Sequence, residues 1–203
     1  AYDVELAWLS GMLHDVGRFE QIKRYNTFSD ADSVDHAKFG ADLLFKDGLI
    51  STFLNGMVKC TGYKPGALED RYDSDGVFLY DRLNKSDMEM LELAIRCHNM
   101  YRIPQGLNSR EQAFCNVLRD ADKVDIFKVN IDTPLEEIYN TTTEELMKSN
   151  ITDEVLEAFD EEHCILKAIR RTPADTVIGH VSLAYELVYD ESVRITVEQG
   201  YLA

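Results

Sequence analysis

The stretch Ser10–Gln21, SGMLHDVGRFEQ, sets an imidazole and a carboxylate side by side, His14 and Asp15, at the end of the apolar run LAWLSGML. A polar group withdrawn from water is costly unless it is paired, and an isolated charge is costlier still. A compensating partner is therefore expected elsewhere in the chain. Residues of ligand type recur on three other apolar segments: His36 in VDHAKFGADLLFKDG, His98 in LAIRCHNM and Asp122 in RDADKVDIF. Around the last of these, Phe114, Leu118 and Ala121 trace one helical face. At about 100° per residue Asp122 falls close to that face, while Asp120 points elsewhere. A carboxylate on a core-facing stripe needs a cation. Imidazole and carboxylate together suit one or two divalent ions, with iron, manganese, zinc, nickel, cobalt and magnesium not distinguished, and such an ion would neutralise the clustered acids. Buried histidines bonded to backbone groups are the competing explanation on spacing alone.

The elements that must carry these residues read as helices. Val4, Trp8 and Met12, with Ala7, Leu9 and Leu13, recur at helical spacing ahead of His14, and Gly17 offers a stop. Residues 18–32 show no period and read as a surface loop. A second helix is expected from Ser33 to Gly48, with Lys46 in its last turn, and residues 61–85 read as a loop or small insertion. Ser86 with Glu89, and Asn108 with Glu111, have capping-box spacing at the heads of the helices that carry His98 and Asp122, and the first of these halts before Pro104. Further helical patterns cover about 134–148, 152–171 and 174–200, the second with a Thr152 cap. No repeat or linker interrupts them. The expectation is an all-α helical bundle, one domain over 1–203, with the ligand-bearing core at about 4–130 and C-terminal helices at about 134–200.

Composition limits the class of function. With 29% charged and 45% hydrophobic residues the chain is that of a globular protein, and no apolar run approaches the roughly 20 residues of a membrane span. No leader-like stretch opens it, so a cytoplasmic protein without a membrane partner is expected. Cys60, Cys97, Cys115 and Cys164 have no zinc-type spacing and read as reduced, mostly buried thiols. A net charge of -16 argues against a nucleic-acid polymer as partner. An anionic ligand would instead need local cations, for which Arg18, Lys23, Arg24 and Lys38 are the candidates in sequence. Nothing in the sequence indicates an oligomeric state.

The strings LHDVG, DHAKFGADLL, AIRCHNM and RDADKVDIF, in that order, resemble the HD-domain superfamily of metal-dependent phosphohydrolases, in particular its small bacterial members. The resemblance covers about residues 4–130. It implies that His14 and Asp15 are the name-giving pair, with Asp15 able to bridge two ions and to orient the attacking water. It also implies that Asp122 is the last aspartate ligand, and that His36 and His98 are the additional histidines of members holding a second metal. Arg18 stands where relatives often carry a phosphate-contacting lysine. The implied activity is cleavage of a phosphate ester or anhydride in a small phosphorylated substrate such as a nucleotide. Two alternatives remain: a di-iron oxygenase of the same fold, and a nucleotide-binding regulatory module with impaired catalysis. The family has a further histidine on a helix upstream of the pair, and no histidine precedes His14, so an upstream helix bearing one is expected in the natural protein. Lys123, Asp125 and Asn99 are candidate outer partners of the ligands, whereas His163 and His180, outside the motifs, read as core or boundary histidines.

Overall fold

The computed structural model describes residues 2–59, 83–139 and 141–201, and within them the chain is all-helical, with no strand. It divides into two compact units, Ala1–Leu118 and Arg119–Ala203, the division falling inside one continuous helix. The first unit holds α1 (Tyr2–Leu13), α2 (Val16–Tyr25), α3 (His36–Ala41), which runs on as a π turn over Asp42–Lys46, α4 (Leu49–Lys59), α5 (Lys85–Cys97) and the first part of α6 (Ser109–Asp132). The rest of α6 joins α7 (Leu135–Tyr139), α8 (Thr143–Lys148), α9 (Asp153–Asp160), α10 (Pro173–Val181) and α11 (Asp190–Gln199) in the second unit. No helix among the described residues is long and apolar enough to cross a membrane.

The core of the first unit is built from Leu6, Leu9 and Leu13 of α1, Ala41 and Leu44, Met90, Leu91, Ala94 and Ile95 of α5, and Phe114, Cys115 and Leu118 of α6. Of the apolar residues expected to recur along α1, Leu9 and Leu13 face inward, together with Leu6 and Ser10, whereas Val4, Trp8 and Met12 are exposed. The helix is apolar nearly all round, so spacing alone could not choose its face. Ser10 is admitted because its hydroxyl donates to the Ala7 carbonyl at 2.7 Å.

Most of the expected loop at 18–32 is helix. α2 is hidden from a reading of apolar period because Gln21, a polar residue, fills its core-facing position and is wholly buried. Glu20 also pairs with Lys23 and Arg24 along its outer face, support of the i,i+3 and i,i+4 kind. Gly17 is no stop but the point of closest approach between α2 and α3. A Cβ there would lie 2.3 Å from the His36 carbonyl oxygen and 2.7 Å from the Gly40 nitrogen, both backbone atoms that cannot step aside. Gly17→Ala is therefore expected to destabilise the fold by about 3 kcal/mol, at the upper end of overpacking costs, and to push His36 away from α2. A thermal melt of Gly17→Ala beside Gly11→Ala, where a Cβ meets nothing within 4 Å, measures this.

The helix after Ser33 starts later than expected, at His36, capped by Asp35, and Gly48 closes the following turn at φ 79° as a stop should. The capping box of α5 lies two residues upstream of the expected one and is made by Asn84 and Asp87. At the head of α6, Asn108 accepts from the amides of Arg110 and Glu111 while Glu111 accepts from that of Asn108, as its spacing predicts. Each of the three C-terminal patterns is divided into shorter pieces: α7 and α8, then α9 and a 3₁₀ turn at Lys167–Ile169, then α10, a 3₁₀ turn at Ser182–Glu186 and α11. Thr152 does begin α9, but its hydroxyl donates to Asp175 instead of capping. Asp175 is buried and also accepts from the backbone N–H of Thr152, Arg171 and Thr172, so it ties the segments that the sequence pattern ran together. Residues 61–82 of the expected insertion, and Cys60, lie outside the described residues; Cys97, Cys115 and Cys164 are buried thiols that form no disulfide.

Candidate metal centre

His14 and Asp15 occupy the break between α1 and α2. Asp15 has φ −99° and ψ 12°, which stops one helix and lets the next set off in a new direction. His98 ends α5 in the same way. In each case ring Nδ1 lies 2.7 Å from the carbonyl three residues upstream, Gly11 for His14 and Ile95 for His98. A carbonyl only accepts, so the proton is on Nδ1 and the orphan carbonyl of the helix end is satisfied. Both rings thereby present Nε2 away from their own helices. His36, the first residue of α3, has its Nδ1 2.9 and 2.7 Å from the two carboxylate oxygens of Asp30. Its Nε2 is likewise left as the forward-facing atom.

These forward atoms meet. His36 Nε2 and His98 Nε2 are 3.0 Å apart, and Asp15 Oδ1 lies 3.3 Å from the first and 3.6 Å from the second. The other Asp15 oxygen is 3.6 Å from His14 Nε2. Ligand atoms of His14, Asp15 and His98 all fall within 4.8 Å of one another. The His14 and His98 rings stand edge to face at 4.9 Å and the His36 and His98 rings at 5.0 Å. His36 and His98 are buried, with about 5% of each exposed, whereas the Asp15 side chain is 46% exposed, so the centre is closed behind and open at the carboxylate.

The donor set fits a divalent ion. Donors held by one ion at about 2.0–2.2 Å stand about 3.0 Å apart when cis in an octahedron and about 3.4 Å apart in a tetrahedron; the separations of 3.0 and 3.3 Å fall in this interval and the two of 3.6 Å lie just beyond it. With Nδ1 protonated on both rings, the Nε2 atoms of His36 and His98 direct lone pairs at each other, an arrangement that a cation or a shared proton must relieve. Asp15 Oδ1 is buried and has no hydrogen bond, Arg18 Nε standing 3.7 Å from it. Orphaned acceptors facing one point are what a bound cation satisfies.

The electrostatics agree. Burial opposes ionisation of Asp15, but His36, His98 and His14 around it outweigh burial and hold its carboxyl far below the usual carboxylate range. Burial also opposes protonation of His36, yet Asp15 and Asp30 together raise its pKa above the ordinary value. Asp30, despite its own burial, is held at about 2 by His36, Gln21 and Arg18.

No protein-family model, no curated protein and no solved structure matches the chain. The site is therefore argued from its own residues.

Several of the residues singled out by type have other surroundings than expected. Asp122 is half-buried on the part of α6 that belongs to the second unit, and is not among the three residues just grouped. Asp120, expected to point elsewhere, is buried and accepts from the backbone N–H of Val188 and Tyr189 at 3.0 and 3.1 Å, while Ala121 is exposed. Two backbone N–H donors, not an apolar stripe, give the buried Asp120 its partners. The supposed free cations are engaged: Lys23 and Arg24 by Glu20, Lys38 by Asp35, and Arg18 by Asp30 at 3.1 Å and by the Phe28 carbonyl at 2.7 Å. Lys123 is buried with its ammonium on the Glu186 carbonyl, and Asp125 is exposed. Asn99 donates to Asp35 at 2.9 Å and reaches Asp30 at 3.4 Å. His163 pairs with Glu161 outside any helix, and His180 packs with Tyr139 and Asn130. There burial, with Arg170 and Lys167, lowers its pKa to about 4. The residue that sequence reading missed is Asp30. Its only signal was a carboxylate inside SDADSVDH, six residues before a histidine, and that spacing acquires meaning only once the chain turns back on itself.

Proposed function

We propose that the chain is a metal-dependent phosphohydrolase with a centre of the HD-domain kind, acting on a small phosphorylated substrate such as a nucleotide. One observation carries the reading: the opposed Nε2 atoms of His36 and His98, 3.0 Å apart, with an unsatisfied Asp15 oxygen beside them. His14, Asp15 and His98 would hold a divalent ion, and His36 would complete its shell or border a second ion. When bound, the ion lowers the pKa of a coordinated water towards neutrality and polarises the phosphoryl group.

The chain supplies the rest. Asp15 is the one ligand with substantial exposure, so its carboxylate faces the incoming phosphate and orients a water by accepting its proton in a hydrogen bond. His36 and His98, shut away from solvent, keep the dielectric low behind it, which strengthens every charge interaction at the centre. With Lys23, Arg24, Lys38 and Arg18 all engaged by carboxylates, the substrate's charge falls on the centre itself.

The test is elemental analysis of the purified protein followed by a phosphate-release screen over nucleotides and phosphate monoesters with each divalent ion. The expected result is release that requires an added ion, stops with chelator and is absent in His98→Gln. A protein that takes up no ion, or release indifferent to chelator, overturns the reading. Iron with oxygen-dependent turnover would put a di-iron oxygenase in its place, and tight nucleotide binding without turnover a regulatory module.

A further inference from the structure

The three imidazoles differ in what fixes their tautomers. His14 and His98 use carbonyls of their own helices. His36 opens α3, has no preceding helical turn to bond to, and depends on Asp30, a side chain from a different stretch of chain. Asp30 is itself held: Arg18 Nη1 and Gln21 Nε2 both donate to its Oδ1 at 3.1 Å, and Asn99 reaches its Oδ2 at 3.4 Å. Gln21 in turn donates to Ser33 Oγ and the Val34 carbonyl at 2.9 and 3.0 Å, so the same amide clasps both Asp30 and the segment leading into His36. This assembly is polar, largely buried and directed at one ring nitrogen.

We propose that Asp30 is a positioning residue which keeps the His36 proton on Nδ1, delivers Nε2 to the centre, and thereby sets the centre's affinity for a divalent ion; this rests on the reading of the cluster as a metal centre. The two neutral tautomers of an imidazole lie close in energy, so without an anionic acceptor at Nδ1 a large share of His36 would carry its proton on Nε2. That proton would point at His98 Nε2, only 3.0 Å away, and occupy the position a ligand bond needs. Arg18, on this reading, acts through Asp30.

Asp30→Ala and Asp30→Asn are to be compared with the unaltered chain by calorimetric titration with cobalt(II) chloride and by ¹⁵N spectra of the histidine rings in metal-free protein. Loss of an outer hydrogen-bonding partner costs roughly 10–100-fold in metal affinity, and a loss of that size is expected for Asp30→Ala, with a smaller one for Asp30→Asn. The His36 signals should move towards the Nε2–H form while those of His14 and His98 stay. In a His36→Ala background, Asp30→Ala should cost no further affinity, a result that a merely structural role would not give. Unchanged His36 signals and affinity in a folded variant, or an equal further loss in the His36→Ala background, overturn the proposal. If Asp30→Ala does not fold, Asp30→Asn carries the same readouts. An unaltered chain that takes up no cobalt overturns the metal reading and with it the effect on affinity, while the ring spectra still decide whether Asp30 governs His36.

Discussion

Asp15→Asn is expected to weaken divalent-ion binding by more than about 100-fold, since even an outer partner of a ligand is worth roughly 10–100-fold, and to bring phosphate release to background. The substitution keeps the shape and removes the charge. It also turns an NH₂ donor towards an imidazole nitrogen that needs to meet a cation, on the His14 side or on the side of His36 and His98. The melting temperature should fall while the cooperative transition remains, because the half-exposed carboxylate gives up its charge pairing with His14, His36 and His98 but fills no part of the apolar core. That separation of effects is the useful part. Cobalt titration and a melt on the same sample distinguish a lost ligand from a lost fold, and cobalt binding at full strength in Asp15→Asn would remove Asp15 from the ligand set.

The sequence made the all-α class legible because the helical period of its apolar residues is strong in α5 and the Asn108 cap at the head of α6 is local chemistry. It also made the chemistry-bearing residues legible by type, since histidines at the ends of apolar helices are conspicuous. Other features were hidden for identifiable reasons. The inward face of α1 was ambiguous because Val4–Trp8–Met12 and Leu6–Leu9–Leu13 are equally periodic, and only the neighbours of the second set decide. α2 was missed because a buried amide, Gln21, stands where an apolar residue would have announced it. Gly17 was read as a terminator when its function is to let two backbones touch, a tertiary fact with no local signature. Asp120 was assigned to solvent by a face drawn through Ala121, whereas its hydrogen-bond partners, the amides of Val188 and Tyr189, are almost seventy residues away. Asp30 belongs to the same group: its partner His36 is near in sequence, but Arg18, Gln21 and Asn99, which make it rigid, come from other elements.

The same cluster should reverse the pH dependence of stability when an ion is added. In metal-free protein a proton is the only cation that can sit between His36 Nε2, His98 Nε2 and Asp15. His36 has its pKa raised above the ordinary 6.5, with burial and Arg18 opposing and Asp15 and Asp30 prevailing. Its contribution is therefore fully present below pH 6.5 and is lost as pH rises through the raised folded value. Asp15 runs the other way. Its carboxyl lies far below the ordinary 3.8, so its contribution is present above pH 3.8 and is lost only as pH falls well below it. Both contributions are complete between these two ordinary values, and metal-free protein is expected to melt highest there and progressively lower as the solution becomes alkaline. A divalent ion needs the same lone pairs without the proton, so its binding strengthens as pH rises. At a thousandfold excess over its dissociation constant it adds about 4 kcal/mol to stability. Melting curves from pH 5 to pH 9, with chelator and with cobalt(II), should then cross: the chelated protein falls with rising pH and the cobalt-loaded protein rises. Parallel curves would mean that proton and ion do not compete for one place, and His36 with its Asp15 and His98 neighbours would have to be read as a structural cluster bonded by a proton alone.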